Sequence, residues 1–271
     1  MDTAFCTEDG ITYEAVQFSR LPPIELARKR RFLQCSGCNA TAFFRKASRS
    51  GRAACFGARP HVEGCNLAAF DHEPIDGQGH DEDELNNPGD RIAVDLNYGS
   101  HIRQPRPVVP GDGGAVNRGR RFVGGGARPD ARAHRRLSTL LRTLLEVPAF
   151  SQSAQILEIE GRTDIAVRDF FVPIGQVSTD NEGQFRGFWG MLSDARFTQD
   201  GTLWLNSGGR DDISFCVSSD HVDDIYHRYH LEDEEDLAGA NVLVLGTLRV
   251  SQNGKMYCVI PDSAYIALRL G

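Results

Sequence analysis

The chain has 271 residues, of which 25% are charged and 40% hydrophobic, a composition that fits a soluble globular protein and leaves room for two compact domains or one domain and a long unstructured stretch. Its longest apolar run falls far short of the ~20 residues a membrane helix needs, and MDTAFCTEDG lacks the basic and apolar regions of an export signal. No membrane span is therefore expected, and a cytoplasmic location is. The formal net charge of −7 is unevenly spread. Residues 1–79 are balanced, with 10 Lys+Arg against 9 Asp+Glu, and residues 80–95 are acidic at 1 against 6. Residues 96–148 are basic at 10 against 3, and residues 149–271 are acidic at 9 against 19. Lys occurs only at 29, 46 and 255, so nearly all positive charge is Arg, the better planar partner for phosphate. A GC-rich genome would give the same bias.

Residues 1–75 read as a small metal-supported unit. ITYEAVQF (11–18) alternates like a strand, and LPPIELARKRRFLQC (21–35) runs through a proline pair and a basic stretch into a cysteine. Four of the seven cysteines fall within residues 35–65, which in a cytosolic chain points to metal ligands before disulfides. The spacing is Cys35-x2-Cys38, sixteen residues, then Cys55-x5-His61-x3-Cys65. Zn²⁺ takes four soft or borderline ligands at tetrahedral positions. The Cys-Ser-Gly-Cys knuckle supplies two from one turn, with Gly37 free to take a positive φ. His61 and Cys65 supply two more, and Cys55 is a fifth candidate able to replace His61. With every ligand a protein side chain, the site is expected to be structural rather than catalytic. Buried free thiols would explain neither spacing nor density, and a redox Cys-x-x-Cys lacks its βαβ setting.

This cysteine pattern, a Cys-x2-Cys followed by CFGARPHVEGC (55–65), resembles the N-terminal zinc-binding segment of CoiA-like competence proteins and related bacterial proteins of DNA uptake and defence. The resemblance covers residues ~13–70. The nuclease portion of that family has no counterpart here, so nuclease activity is not implied.

Residues 76–130 are rich in Gly and Pro and, apart from IAVDLNY (92–98), have no periodic apolar pattern. They read as a flexible linker, acidic first and Arg-rich later. Its last part, GRRFVGGGARPDARAHRR (119–136), with Arg120 and Arg121, is similar to Arg/Gly segments that track nucleic-acid backbones; a solvated linker is the plain alternative.

Residues 131–271 form the second domain. Leu137, Leu140, Leu141, Leu144 and Leu145 recur at helical spacing before Pro148, which predicts a helix over 131–147. AQILEIEG (154–161) and IAVRDFFVPI (165–174) read as strands. QFRGFWGMLSDARF (184–197) reads as one long glycine-bent strand, followed by strands GTLWLNSG (201–208) and DISFCVSS (212–219). An acid-rich helix covers 219–237, and His221, His227 and His230 on or near it read as surface residues. ANVLVLGTLRVSQ (240–252) is a fourth strand, and KMYCVIPDSAYIALRL (255–270) a fifth strand or a split pair.

Three strands, a helix and two strands is the order of the OB-fold, a five-stranded Greek-key barrel. Residues 185–271 resemble OB domains that bind single-stranded DNA, although the same fold also serves as a protein-binding module. The fold class is then α+β, mostly β: a zinc-binding module, a flexible Gly/Arg-rich linker, and a helix and strands leading into an OB-type barrel at about 184–271. OB domains stack bases on aromatic rings and steer the backbone with cations. The candidate contacts are Trp204, Trp189, Tyr257, Arg186, Arg196, Arg210, Arg249 and Lys255. Trp204 shares a strand face with Thr202 and Asn206, which predicts exposure, whereas Phe215 alternates with Ile213 and Val217, which predicts core.

No phosphate loop, nucleophile elbow or dinucleotide fingerprint is present, so an enzyme is not expected. The expected function is binding of single-stranded DNA or RNA, with a structural zinc. The net −10 of residues 149–271 opposes phosphate binding. It supports the alternative, an adaptor or regulatory subunit of a DNA-processing or defence complex that docks protein partners through the acidic domain.

Overall fold

The computed structural model describes residues 1–47, 53–58, 61–62, 65, 67, 91–96 and 132–270. Three sheets organise them, with three apolar clusters, the second of which is shared by the second and third sheets.

The first sheet is built from β1 (Thr3–Cys6), β2 (Ile11–Glu14), β3 (Leu33–Cys35), β4 (Thr41–Arg45) and β5 (Cys55–Ala58), in the antiparallel order β2-β1-β3-β4-β5. Two short helices, α1 (Ala15–Ser19) and α2 (Pro23–Lys29), join β2 to β3. Proline opens α2, where its missing N–H has no intrahelical partner to lose. Phe18, Phe44 and Phe56 are fully buried and meet in tilted and edge-on pairs at 4.9–5.4 Å, the arrangement the ring quadrupole favours.

The second sheet has the order β7-β6-β8-β9, from β6 (Arg91–Asp95), β7 (Arg132–Arg136), β8 (Ile156–Glu158) and β9 (Ile165–Ala166). Its central strand, β6, is the IAVD segment inside the stretch read as linker. Ile92, Ala93 and Val94 are buried, and β6 runs parallel to both β7 and β8. These residues are therefore sheet, not linker. The predicted helix over 131–147 begins later, as α3 (Leu137–Glu146), because residues 132–136 pair with β6. The segment 165–174 is also broken: β9, one helical turn α4 (Val167–Phe170) and β10 (Phe171–Pro173) replace the single strand. Val167 and Phe170 are both buried, which a continuous alternation would not allow.

The third sheet follows the predicted order closely. It comprises β11 (Phe185–Met191), β12 (Asp194–Phe197), β13 (Leu203–Asn206), β14 (Ser214–Val217), β15 (Asn241–Val250), β16 (Met256–Ile260) and β17 (Ile266–Arg269), with α5 (Ser219–Tyr229) between β14 and β15. The neighbours run β10-β11-β15-β16-β14-β13-β12, and β17 also pairs with β15. Only Leu192 and Ser193 separate β11 from β12, the two strands toward opposite ends of this order. The 240–252 strand is present, the 255–270 segment is a split pair, and the acidic helix ends at Tyr229 with a separate 3₁₀ turn at Glu234–Leu237.

One face of this sheet carries Phe188, Leu205, Phe215, Val217, Val244, Leu248, Cys258 and Ile260 in a shared core. On the other face, Leu243, Leu245 and Ala267 are covered by α3 and a second apolar cluster. Among the described residues, no such cluster covers Arg196, Trp204, Cys216, Tyr257 or Arg249 on β12, β13, β14, β16 and β15, all of which retain accessible surface.

The first module packs directly on the third sheet. Arg30 donates from Nη1 to Glu235 Oε1 at 3.0 Å and from Nη2 to Oε2 at 2.8 Å, and also to the Phe44 carbonyl at 2.7 Å. Arg31 Nε meets Asp194 at 3.0 Å, and Arg45 Nε donates to the Ala238 carbonyl at 2.8 Å. The Phe43 ring fills the space beside Gly239, where a Cβ would lie 2.3 Å from it.

Candidate metal centre and nucleic-acid interface

The metal ligands begin in the hairpin between β3 and β4. Cys35 closes β3, its N–H donates to the Ala40 carbonyl at 2.8 Å, and the Asn39 N–H returns to the Cys35 carbonyl at 2.9 Å. The left-handed residue in this knuckle is Asn39, with φ 58°, rather than Gly37. The Gly37 N–H instead points at the Cys35 sulfur, 3.4 Å away. The second pair comes from the chain after β5, where the Cys65 N–H donates to the Val62 carbonyl at 3.0 Å.

Cys35, Cys38, His61 and Cys65 converge, with their ligand atoms all within 4.8 Å of one another. Cys55 stands apart, opposite Arg45 at the start of β5, and is not in the group. The donor set fits Zn²⁺. Bond lengths of about 2.3 Å to sulfur and about 2.05 Å to nitrogen imply tetrahedral edges of about 3.8 Å between sulfurs and about 3.6 Å from sulfur to nitrogen. The observed Cys35–Cys65 Sγ separation is 3.8 Å, and Cys38 Sγ lies 3.5 Å from His61 Nδ1. At 3.8 Å the two sulfurs are not a disulfide, whose bond is about 2.05 Å. The amide N–H groups of Val62 and Ala40, with a smaller contribution from His61, hold the Cys38 thiol down to about 6, which favours the thiolate a metal requires.

The second constellation is the uncovered face of the third sheet. Arg196 on β12 is in register with Trp204 on β13, and Trp204 with Cys216 on β14. Tyr257 on β16 is in register with Arg249 on β15. The Trp204 and Tyr257 rings lie 6.2 Å apart at 55°. Five strands thus place two aromatic rings between two exposed arginines.

The other candidate contacts lie elsewhere. Trp189 pairs with Leu243 and Pro173 and packs against the second core, its Nε1 buried without a hydrogen-bond partner among the described residues. Like Trp204 it is half-buried, but its neighbours are the apolar side chains of the second core rather than Tyr257 and exposed arginines. Half-buried Arg186 lines a separate cavity of about 270 Å³ with Arg162, Asp164 and Phe185. Lys255 Nζ donates to the Gly209 and Asp212 carbonyls, so its ammonium braces two loops; burial and the nearby Arg31 charge shift its pKa down. Exposed Arg210 reaches the Asn253 carbonyl at 3.3 Å. Arg120 and Arg121 lie outside the described residues.

Sequence reasoning did not single out Arg28 and Arg31. Both belong to the basic stretch before Cys35, and both face Arg196 across a cleft of about 440 Å³. The spacing of Ile24, Ala27, Arg28 and Arg31 on one helical face was the available signal.

Among the described residues, no helix is long and apolar enough to cross a membrane. No family model matches the chain, and no curated protein matches it. Among solved structures it is similar to a chain described as a candidate aspartyl-tRNA synthetase from Leishmania major Friedlin, at 11% identity and a TM-score of 0.23. That match covers 41% of this chain and 21% of the other, and at that score it carries no argument about fold or function.

Proposed function

We propose that the protein is a non-enzymatic binder of single-stranded nucleic acid, DNA favoured, built from an OB-type barrel and a module held together by structural zinc. Strand order supports the barrel. If β11 and β12 are the two halves of one strand bent at Leu192–Ser193, the neighbours run first, second, third, fifth, fourth and back to first. The third and fifth strands, β14 and β16, are parallel, and the remaining barrel pairs are antiparallel. A helix lies between the third and fourth. All of these are OB features.

The observation that carries the binding reading is the Trp204–Tyr257 pair on an uncovered face, flanked by Arg196 and Arg249. Bases stack on such rings with little regard to sequence, and arginines neutralise the adjoining phosphates. Arg120 and Arg121 would add sequence-independent affinity. The acidic balance opposes this less than the count suggests. Glu235 is bound by Arg30 and Lys46, Asp194 by Arg31, and Asp233 and Asp236 cap a 3₁₀ turn. The same pairings take part of the acidic surface away from the adaptor reading. Zinc at Cys35, Cys38, His61 and Cys65 would fix the knuckle and the chain after β5.

The test is fluorescence anisotropy of zinc-loaded protein with labelled single- and double-stranded DNA and RNA across a salt series. Single-strand preference that weakens steeply with salt is expected. Absence of binding at low salt would sink the reading and redirect attention to protein partners.

A further inference from the structure

We propose that the cleft between α2 and β12 is a phosphate-binding site that continues the path of the strand stacked on Trp204. This inference rests on the binding function proposed above. Pro23, Ile24, Ala27, Arg28, Arg31 and Arg196 line the cleft, which has a volume of about 440 Å³. The first five come from the zinc-bearing module and the last from the third sheet, so the site exists only while the two are docked.

Two of its arginines are held by one nitrogen each. Arg28 Nε is anchored on Glu8 at about 3 Å, and Arg31 Nε on Asp194 at 3.0 Å. Neither guanidinium makes a further hydrogen bond through its Nη atoms among the described residues. A guanidinium fixed at Nε with both Nη groups free is oriented in advance for a bidentate bond to an anionic oxygen pair. The anchor beneath Arg31 is itself rigid. Asp194 is 3% exposed, accepts from Asn206 Nδ2 at 2.7 Å and from Ser193 Oγ at 3.2 Å, and Ser214 Oγ donates to Asn206 at 2.8 Å.

The third arginine, Arg196, is exposed and makes no hydrogen bond or ion pair with a described residue. Two carboxylates against three guanidiniums leave the cleft net positive. Arg196 is also the cross-strand neighbour of Trp204, and such pairs have Cβ atoms about 5 Å apart. One arginine therefore borders both the stacking ring and the cleft. Ile24, 83% exposed, gives the far wall an apolar surface suited to a sugar or base edge. Phosphodiester, with alternating anionic and apolar groups, matches this lining.

The test uses the full-length, zinc-loaded protein and fluorescein-labelled oligothymidylates of about 4 and about 16 nucleotides, the range of site sizes seen per OB domain. The variant is Arg28→Ala, whose side chain is 59% exposed and whose loss should leave the fold intact. The expected result is a weaker affinity for the long oligomer only, uniform across sequences as for other phosphate contacts. The slope of log affinity against log salt should also fall by about 0.7, one single-strand phosphate. If Trp204→Ala weakens both oligomers while Arg28→Ala changes neither affinity nor slope, the cleft proposal fails and the stacking face stands. Equal losses on both oligomers with Arg28→Ala would also overturn it, since the effect would then not be confined to the cleft. If the wild type binds neither oligomer, the binding function fails and the cleft proposal with it.

Discussion

Arg30 and Glu235, 205 positions apart in the chain, meet in a buried two-pronged ion pair at 2.8 and 3.0 Å. Their side chains are only 5% and 10% exposed, and the remaining Arg30 bond goes to the Phe44 carbonyl. Removing one member leaves the other charged and buried, which costs about 3–5 kcal/mol. Arg30→Ala should lower unfolding stability by that order in urea titration. Arg30→Met with Glu235→Leu should recover much of it, because an apolar pair of similar volume leaves no orphaned charge. A single-variant loss below about 1 kcal/mol would mean that the two modules are not held by this pair.

The same pair sets a pH response. Burial pushes the Glu235 carboxyl up, but the Arg30 hydrogen bonds and the Arg30 and Lys46 charges outweigh it and hold it below the ordinary value. A carboxyl depressed in the folded state adds stability above its unfolded pKa of about 4.3 and loses it as pH falls toward and through the folded value. Stability should therefore decline below about pH 4.5, and Glu235→Gln should remove part of that slope. Urea midpoints at several pH values from neutral to acid would measure both.

For the metal centre, Cys35→Ser, Cys38→Ser and Cys65→Ser should each abolish stoichiometric zinc binding, whereas Cys55→Ser should retain it. Elemental analysis of the purified variants distinguishes these outcomes. Chelation of the wild type should lower its melting temperature, since metal affinity is lost with the folded site. The cobalt-substituted protein should show the visible absorption of a tetrahedral three-sulfur, one-nitrogen site, and a centre that kept its metal after His61→Ala would contradict the assignment.

Trp204→Ala should reduce single-strand affinity by about 1–3 kcal/mol, the usual contribution of one stacked base. Trp189→Phe should leave it unchanged, because that indole is packed into the second core. Tryptophan emission offers an independent check: quenching by oligonucleotide should persist in Trp189→Phe and vanish in Trp204→Phe.

Gly239 has a φ of +77° and faces Phe43. Gly239→Ala combines a strained backbone with a Cβ placed 2.3 Å from the ring, so it should destabilise by more than 1 kcal/mol. Gly254→Ala, also at positive φ but with open space around it, isolates the backbone contribution. Thermal melts of the two variants should separate clash from strain.

What could be read in the sequence followed from local periodicity. The strands between 185 and 269 alternate between a shared core and the opposite face, so their order was visible, as was the outward side of Trp204. The cysteine spacing made the metal centre visible but did not decide between Cys55 and His61, a choice that depends on where β5 ends. The remainder depended on distant pairing. Residues 132–136 look like the start of the Leu-rich helix, and only their parallel alignment with β6 makes them a strand. Trp189 and Trp204 look alike in sequence and both turn away from the shared core, and they differ because the α3 cluster covers that side of the sheet only around β11, β15 and β17. Arg28 and Arg31 are two members of a basic stretch in the sequence, and only docking places them in one cleft with Arg196.

The docking of the first module also bears on the order in which the protein is made. Arg30, Arg31, Phe43 and Arg45 leave the ribosome early, but their partners Glu235, Asp194, Gly239 and Ala238 are synthesised at least 160 residues later. Until then the face that will meet the third sheet remains in water with its charges solvated. A nascent chain stalled before residue 235 would already contain every residue that lines the cleft but would lack Glu235, Ala238 and Gly239, so translation must pass those positions before the docking contacts are complete.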